Sequence, residues 1–144
     1  MYLGSSPRGV ATYIVNRFCM KIVNCAHKGR GVVAASSYKK GDLVEEAPVV
    51  LVPMSQIKES DVLDNYVFFW KQDVYALAFG YGSLYNHDGS PNVKFDQVYD
   101  KKIITFQALR DIDIGEELTI NYSSEDHCEV IFDDVGGFKF GDKV

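Results

Sequence analysis

The chain has 144 residues, of which 47% are hydrophobic and 24% charged, so it can bury the core of one domain and is not of disordered composition. A net charge of −5 argues against a general DNA-binding surface, which needs a basic face, and suits a cationic partner such as a Lys/Arg-rich peptide. No apolar run approaches the roughly 20 residues that span a membrane.

The first nine residues, with Gly4-Ser5-Ser6-Pro7-Arg8-Gly9, read as a flexible leader. Residues 1–19 are set apart as an N-terminal extension, with Met20 as the start of the domain proper. Val10–Cys19 is moderately apolar, but Asn16 and Arg17 interrupt it, so it is not read as a signal peptide and an intracellular protein is expected. Short β-like runs follow at Met20–Asn24 and Val32–Ala35, separated by the turn-prone Lys28-Gly29-Arg30-Gly31. Leu43–Pro53 reads as one or two strands, interrupted at Glu45-Glu46-Ala47-Pro48. Ser60 or Asp61 is expected to cap a short helix over Val62–Phe69. Strands resume at Val93–Tyr99, Ile103–Leu109 and Leu118–Tyr122, with turns at Tyr99–Lys102 and Asp113–Glu116. The pattern predicts a mostly β fold of several small sheets with few short helices.

Three cysteines, Cys19, Cys25 and Cys128, lie far apart without CxxC spacing. They make a poor metal site and leave an odd number for disulfides, so no metal is expected. Nine Tyr and nine Phe exceed what packing alone requires, and some are expected to line a pocket.

Three segments in order stand out: Gly29-Arg30-Gly31-Val32, then Gly82-Ser83-Leu84-Tyr85-Asn86-His87-Asp88-Gly89-Ser90-Pro91-Asn92, then Gly115-Glu116-Glu117-Leu118-Thr119-Ile120-Asn121-Tyr122. Together they resemble the SET-domain family of protein-lysine methyltransferases, over about Met20 to Tyr122. Of its members, the chain is most similar to small stand-alone ones. Residues 20–125 are taken as that domain and 126–144 as a tail closing the cofactor site.

The resemblance implies a pseudoknot-like crossing of the second and third segments. It also implies transfer of methyl groups from S-adenosyl-L-methionine to a lysine side chain. Gly29, Arg30, Gly31, Asn86 and His87 would contact the cofactor, the glycines through close backbone approach. Pro91-Asn92 would fix the turn beyond them. Tyr122 would be the catalytic residue, since in-line transfer needs alignment of a neutral amine rather than a covalent intermediate. Tyr81, Tyr85 and Phe95 are candidates for the substrate channel. At Phe95 a phenyl ring without a hydroxyl implies room for di- or trimethylation. Asp88-Gly89 departs from the family's Ser-Cys and adds a charge near the site. Cys128 cannot supply the family's cysteine-rich zinc closure; Phe132, Phe138 or Phe140 would cover the cofactor instead or, equally, anchor the tail to the core. The implied partner is a lysine-containing protein or basic peptide, such as a histone tail, in the nucleus if the chain acts on chromatin. A monomer and a homodimer are both compatible. The competing reading is a catalytically silent SET-like module that binds a cofactor or a basic peptide.

Overall fold

The computed structural model describes residues 19–123, together with 130–132 and 138–140. The leader, most of the extension over 1–19, and Cys128 lie outside the described residues. Phe132, Phe138 and Phe140 are described only as backbone.

Strands β1 (Met20–Cys25) and β2 (Gly29–Ala34) form an antiparallel hairpin in which Cys25 faces Gly29. The turn is therefore shorter than its glycines predict, and Gly29-Arg30-Gly31 belongs to the strand. β3 (Leu43–Pro53) is one continuous element with a register shift between Leu43 and Glu45. The expected interruption at Pro48 does not occur. Proline lacks an N–H, yet the Pro48 carbonyl accepts the Phe79 N–H at 2.9 Å and keeps the ladder intact.

The helix expected over Val62–Phe69 is a 3-10 turn at Val62–Tyr66 that runs directly into β4 (Val67–Lys71). The aromatic and β-branched run Val67-Phe68-Phe69-Trp70 pairs with β5 (Val74–Ala78), and sheet pairing overrides the local helical signal. Asp61 makes no side-chain cap to that turn; its carboxylate accepts the Lys58 N–H at 3.0 Å.

β6 (Asn86–His87) is two residues long, while β7 (Val93–Val98) and β8 (Ile103–Ala108) form the predicted hairpin. The run expected over Leu118–Tyr122 contains only β9 (Thr119–Ile120). β10 (Val130–Phe132) and β11 (Phe138–Phe140) pair with each other. The main sheet has the order β4-β5-β3-β8-β7, and the other strands make three two-stranded sheets.

Strand alternation builds the core from one face of the main sheet. Ala47 of β3, Ala76 and Ala78 of β5, and Ile104, Phe106 and Ala108 of β8 point into it. Val93 of β7 joins them on that face, and Val32, Tyr85, Ile112, Leu118 and Ile120 close it from the other side. Phe106 lies at its centre, 4.7 Å from the Tyr85 ring. This contact seats the loop before β6 on the sheet and so positions the segment that carries Asn86 and His87.

Candidate active site

The site is built where β6 and β9 run side by side in parallel, Asn86 opposite Thr119 and His87 opposite Ile120. Two residues joined to two residues would not hold alone. The pair is fastened by Asn92, whose side chain is 97% shielded and bonds the third segment twice. It donates to the Glu117 carbonyl at 2.7 Å and accepts the Thr119 N–H at 2.9 Å. The Asp88 N–H extends the ladder to the Ile120 carbonyl at 3.0 Å. β2 grips the same segment from its other edge: Leu118 N–H donates to the Val32 carbonyl and Ala34 N–H to the Glu116 carbonyl. All three motifs thus meet, and the second and third lie together as the resemblance implies.

Gly31 is the point of closest approach. A Cβ there would lie 2.6 Å from Cys25 Sγ, 2.8 Å from Asn86 Nδ2 and 2.8 Å from Glu117 Oε1. The absent side chain lets Asn86 Nδ2 donate to Glu117 Oε1 at 2.8 Å and to the Arg30 carbonyl at 3.2 Å. Lys28 Nζ stands 3.8 Å from Glu117 Oε2, and Arg30 is exposed. Burial first, then Glu117, raises the Cys25 thiol pKa, so this cysteine stays protonated near neutrality.

Tyr122 follows β9 and is bound at both ends to the β6 segment. Its N–H donates to His87 Nδ1 at 3.0 Å, and its hydroxyl donates to the Tyr85 carbonyl at 2.5 Å. The two rings lie 5.3 Å apart. Burial, with Glu117 and Tyr66 adding to it, holds the Tyr122 hydroxyl pKa far above the ordinary phenol value. Burial also lowers the His87 pKa, helped by Lys28 and opposed by Asp88.

The three channel candidates separate. Tyr85 is a correction: its ring is 99% shielded inside the core, so its carbonyl, not its side chain, reaches the site. Its hydroxyl donates to Glu45 Oε2 at 2.7 Å and lies 3.2 Å from Met20 Sδ. Tyr81 is half-buried against the core, and its N–H donates to Glu45 Oε1 at 2.9 Å. Phe95 sits edge-on to Phe68 at 5.2 Å and packs towards Phe106. Burial raises the Glu45 pKa, and these two hydrogen bonds oppose that rise.

Glu45 and Glu117 escaped selection as site residues. Glu117 was visible inside the third segment, whereas Glu45 read only as a break in a strand. Tyr66 was missed as well. It lies within electrostatic reach of Tyr122, and its place at the end of a short turn gives no sequence signal.

Comparison with known proteins agrees with this geometry. The family model for the SET domain matches residues 29–123. A histone-lysine N-methyltransferase of Schizosaccharomyces pombe, specific for H3 lysine-37, is 33% identical over 111 residues, covering 75% of this chain and 76% of that protein. Among solved structures, a Plasmodium falciparum protein described as a candidate histone methyltransferase superposes with a TM-score of 0.63 at 24% identity. That match covers 74% of this chain and 95% of the other, and it supports the fold. With three motifs gathered on one strand crossing and a family match across them, this chain belongs to the SET-domain family.

Proposed function

We propose that the chain transfers methyl groups from S-adenosylmethionine to the side-chain amine of a lysine in a basic protein segment, a histone tail being the first candidate. The observation that carries this reading is the double anchoring of Tyr122, which fixes one aromatic hydroxyl beside the Asn86–His87 segment. The relative's activity on a histone lysine supports the substrate class.

The donor set suits the cofactor. Lys28 offers a cation to a carboxylate, and Glu117 offers a carboxylate to an ammonium, the two charged groups of an amino-acid moiety. Gly29, Arg30, Gly31, Asn86 and His87 would hold it. When bound, the cofactor supplies a methyl group activated on a sulfonium, and the lysine nitrogen forms the new N–C bond as the S–C bond breaks.

The chain's own contribution is alignment, which can supply ~7–11 kcal/mol in favourable cases. The Tyr122 hydroxyl proton is committed to the Tyr85 carbonyl, so its oxygen presents lone pairs to whatever lies in front of it. Its raised pKa keeps it a neutral phenol near pH 7, so it orients the amine and does not act as the base. The lysine must lose its proton to water before it attacks. Phe95 carries no hydroxyl to hold an extra water, and we expect di- or trimethyl-lysine as the end product. A product that stays monomethyl in a mass spectrum at long times would contradict that.

The test is incubation with radiolabelled S-adenosylmethionine and a panel of histones and basic peptides, beside Tyr122→Phe. Label on lysine with the native chain, lost in the variant, supports the reading. Cofactor binding by calorimetry without transfer to any panel member points to a silent module. Lack of cofactor binding overturns the proposal.

A further inference from the structure

The His87 side chain does something the family resemblance did not assign to it. Its Nδ1 accepts the backbone N–H of Tyr122 at 3.0 Å. A backbone N–H can only donate, so Nδ1 must be unprotonated and the ring proton must sit on Nε2. The other tie on Tyr122 runs from its hydroxyl to the Tyr85 carbonyl, two residues before His87. Both ends of the tyrosine are therefore referenced to one short stretch of chain. Removing the backbone tie loosens the main chain at 122 and takes away one of the two hydrogen bonds that reference the tyrosine to this stretch.

We infer that His87 is a positioning residue for Tyr122, holding the tyrosine main chain through Nδ1 so that its hydroxyl is presented at a fixed depth, and releasing it when Nδ1 takes up a proton. This rests on the reading of Tyr122 as the group that aligns the reacting amine. Charged groups facing the imidazole include Asp88, next in the chain, and Lys28, from the turn between β1 and β2; the Tyr122 ring lies alongside. Lys28 and burial oppose the proton and Asp88 favours it, so the ring is neutral above about pH 6.5 and the tie is complete there. Acidification below that value, through the lowered pKa of the folded state, breaks it. Displacements of about 1 Å at a reacting group cost on the order of 100-fold in rate, so His87 can control turnover through Tyr122, apart from any contact with the cofactor.

Three variants and one spectrum test this. In His87→Ala the acceptor is gone, and kcat at pH 8 should fall about 10- to 100-fold with a smaller change in the KM for S-adenosylmethionine. In His87→Asn the Oδ1 can accept the same N–H and does not titrate. It should recover at least roughly ten-fold of that loss. The ratio of native to His87→Asn kcat should then decline below about pH 6.5, a ratio from which the substrate lysine's own titration cancels. In His87→Gln the acceptor sits one bond too far out, and no such recovery is expected. Nitrogen-15 spectra of the native protein at pH 8 should show His87 as the Nε2–H tautomer, with the Tyr122 amide shift following the imidazole titration. A protonated Nδ1 at pH 8, or a Tyr122 amide indifferent to that titration, overturns the inference. So does a His87→Ala variant that loses cofactor affinity alone with kcat intact. The spectra need no substrate, so a native chain that transfers no methyl group sinks the methyltransferase reading while they still decide the His87–Tyr122 link.

Discussion

The Tyr122 hydroxyl donates to the main-chain carbonyl of Tyr85, a residue whose own side chain points the opposite way into the core. Two contacts are thus joined in one residue: the Tyr85 ring anchors on Phe106 and Glu45 while its carbonyl holds the Tyr122 hydroxyl. Removing the hydroxyl in Tyr122→Phe should cost only about 0.5–1.5 kcal/mol of stability, the net worth of one hydrogen bond. Methyl transfer should fall by about 100-fold or more, as expected of lost alignment. Chemical denaturation and single-turnover transfer, measured on the same preparation, check both halves.

Gly31 and Gly29 should respond differently to alanine. At Gly31 the new methyl collides with Asn86, Glu117 and Cys25, and making room should cost about 1–3 kcal/mol and disturb the cofactor side of the crossing. At Gly29 nothing lies within 4 Å, and the cost comes from its φ of +73°, about 1–2 kcal/mol. Calorimetric titration with S-adenosylmethionine should show the larger affinity loss for Gly31→Ala. Equal losses would mean that the contact with Asn86 does not matter for the cofactor.

Replacing Asn92 by leucine should be the most damaging single change at the crossing. It leaves the Glu117 carbonyl and the Thr119 N–H buried without their partner, at about 1–3 kcal/mol each. Urea unfolding should register a loss of a few kcal/mol. A loss below about 0.5 kcal/mol would show that water or rearrangement satisfies both groups.

Glu45 should leave a signature in stability against pH. Its folded pKa is raised, so the fold binds its proton more tightly than the unfolded chain does. The stability it contributes is full below its model value of 4.5 and is lost as pH rises through the folded value. Unfolding free energies of native protein and Glu45→Gln, compared from pH 4 to 8, should therefore diverge, the native chain losing ground over that window. His87 has the opposite sign. Its lowered pKa means stability present above 6.5 and lost as pH falls towards the folded value, so the two groups must be separated by variants.

The parts legible in the sequence were those whose meaning is local. Asn86, His87 and Tyr122 sit in contiguous motifs, and the β7–β8 hairpin announced itself by alternation and a turn. Glu45 did not, because its partners are 36 and 40 positions away and only the fold brings them together. Tyr85 was misplaced for a related reason: in a loop without regular alternation, nothing local says which way a side chain points. Val67–Phe69 read as the end of a helix because the run lies in a stretch without clear alternation, and its strand partner β5 comes only after it.

The pairing of β6 with β9 also sets an order of events during synthesis. Every strand of the five-stranded sheet lies between residues 43 and 108, so that sheet can assemble while the ribosome is still making the rest. The crossing cannot, because β6 must wait for residues 119 and 120, and Tyr122 comes later still. A nascent or prematurely ended chain can therefore pair the strands of the framework and hold no site at all. Abundance measured by an antibody to the sheet would then overstate the amount of working protein.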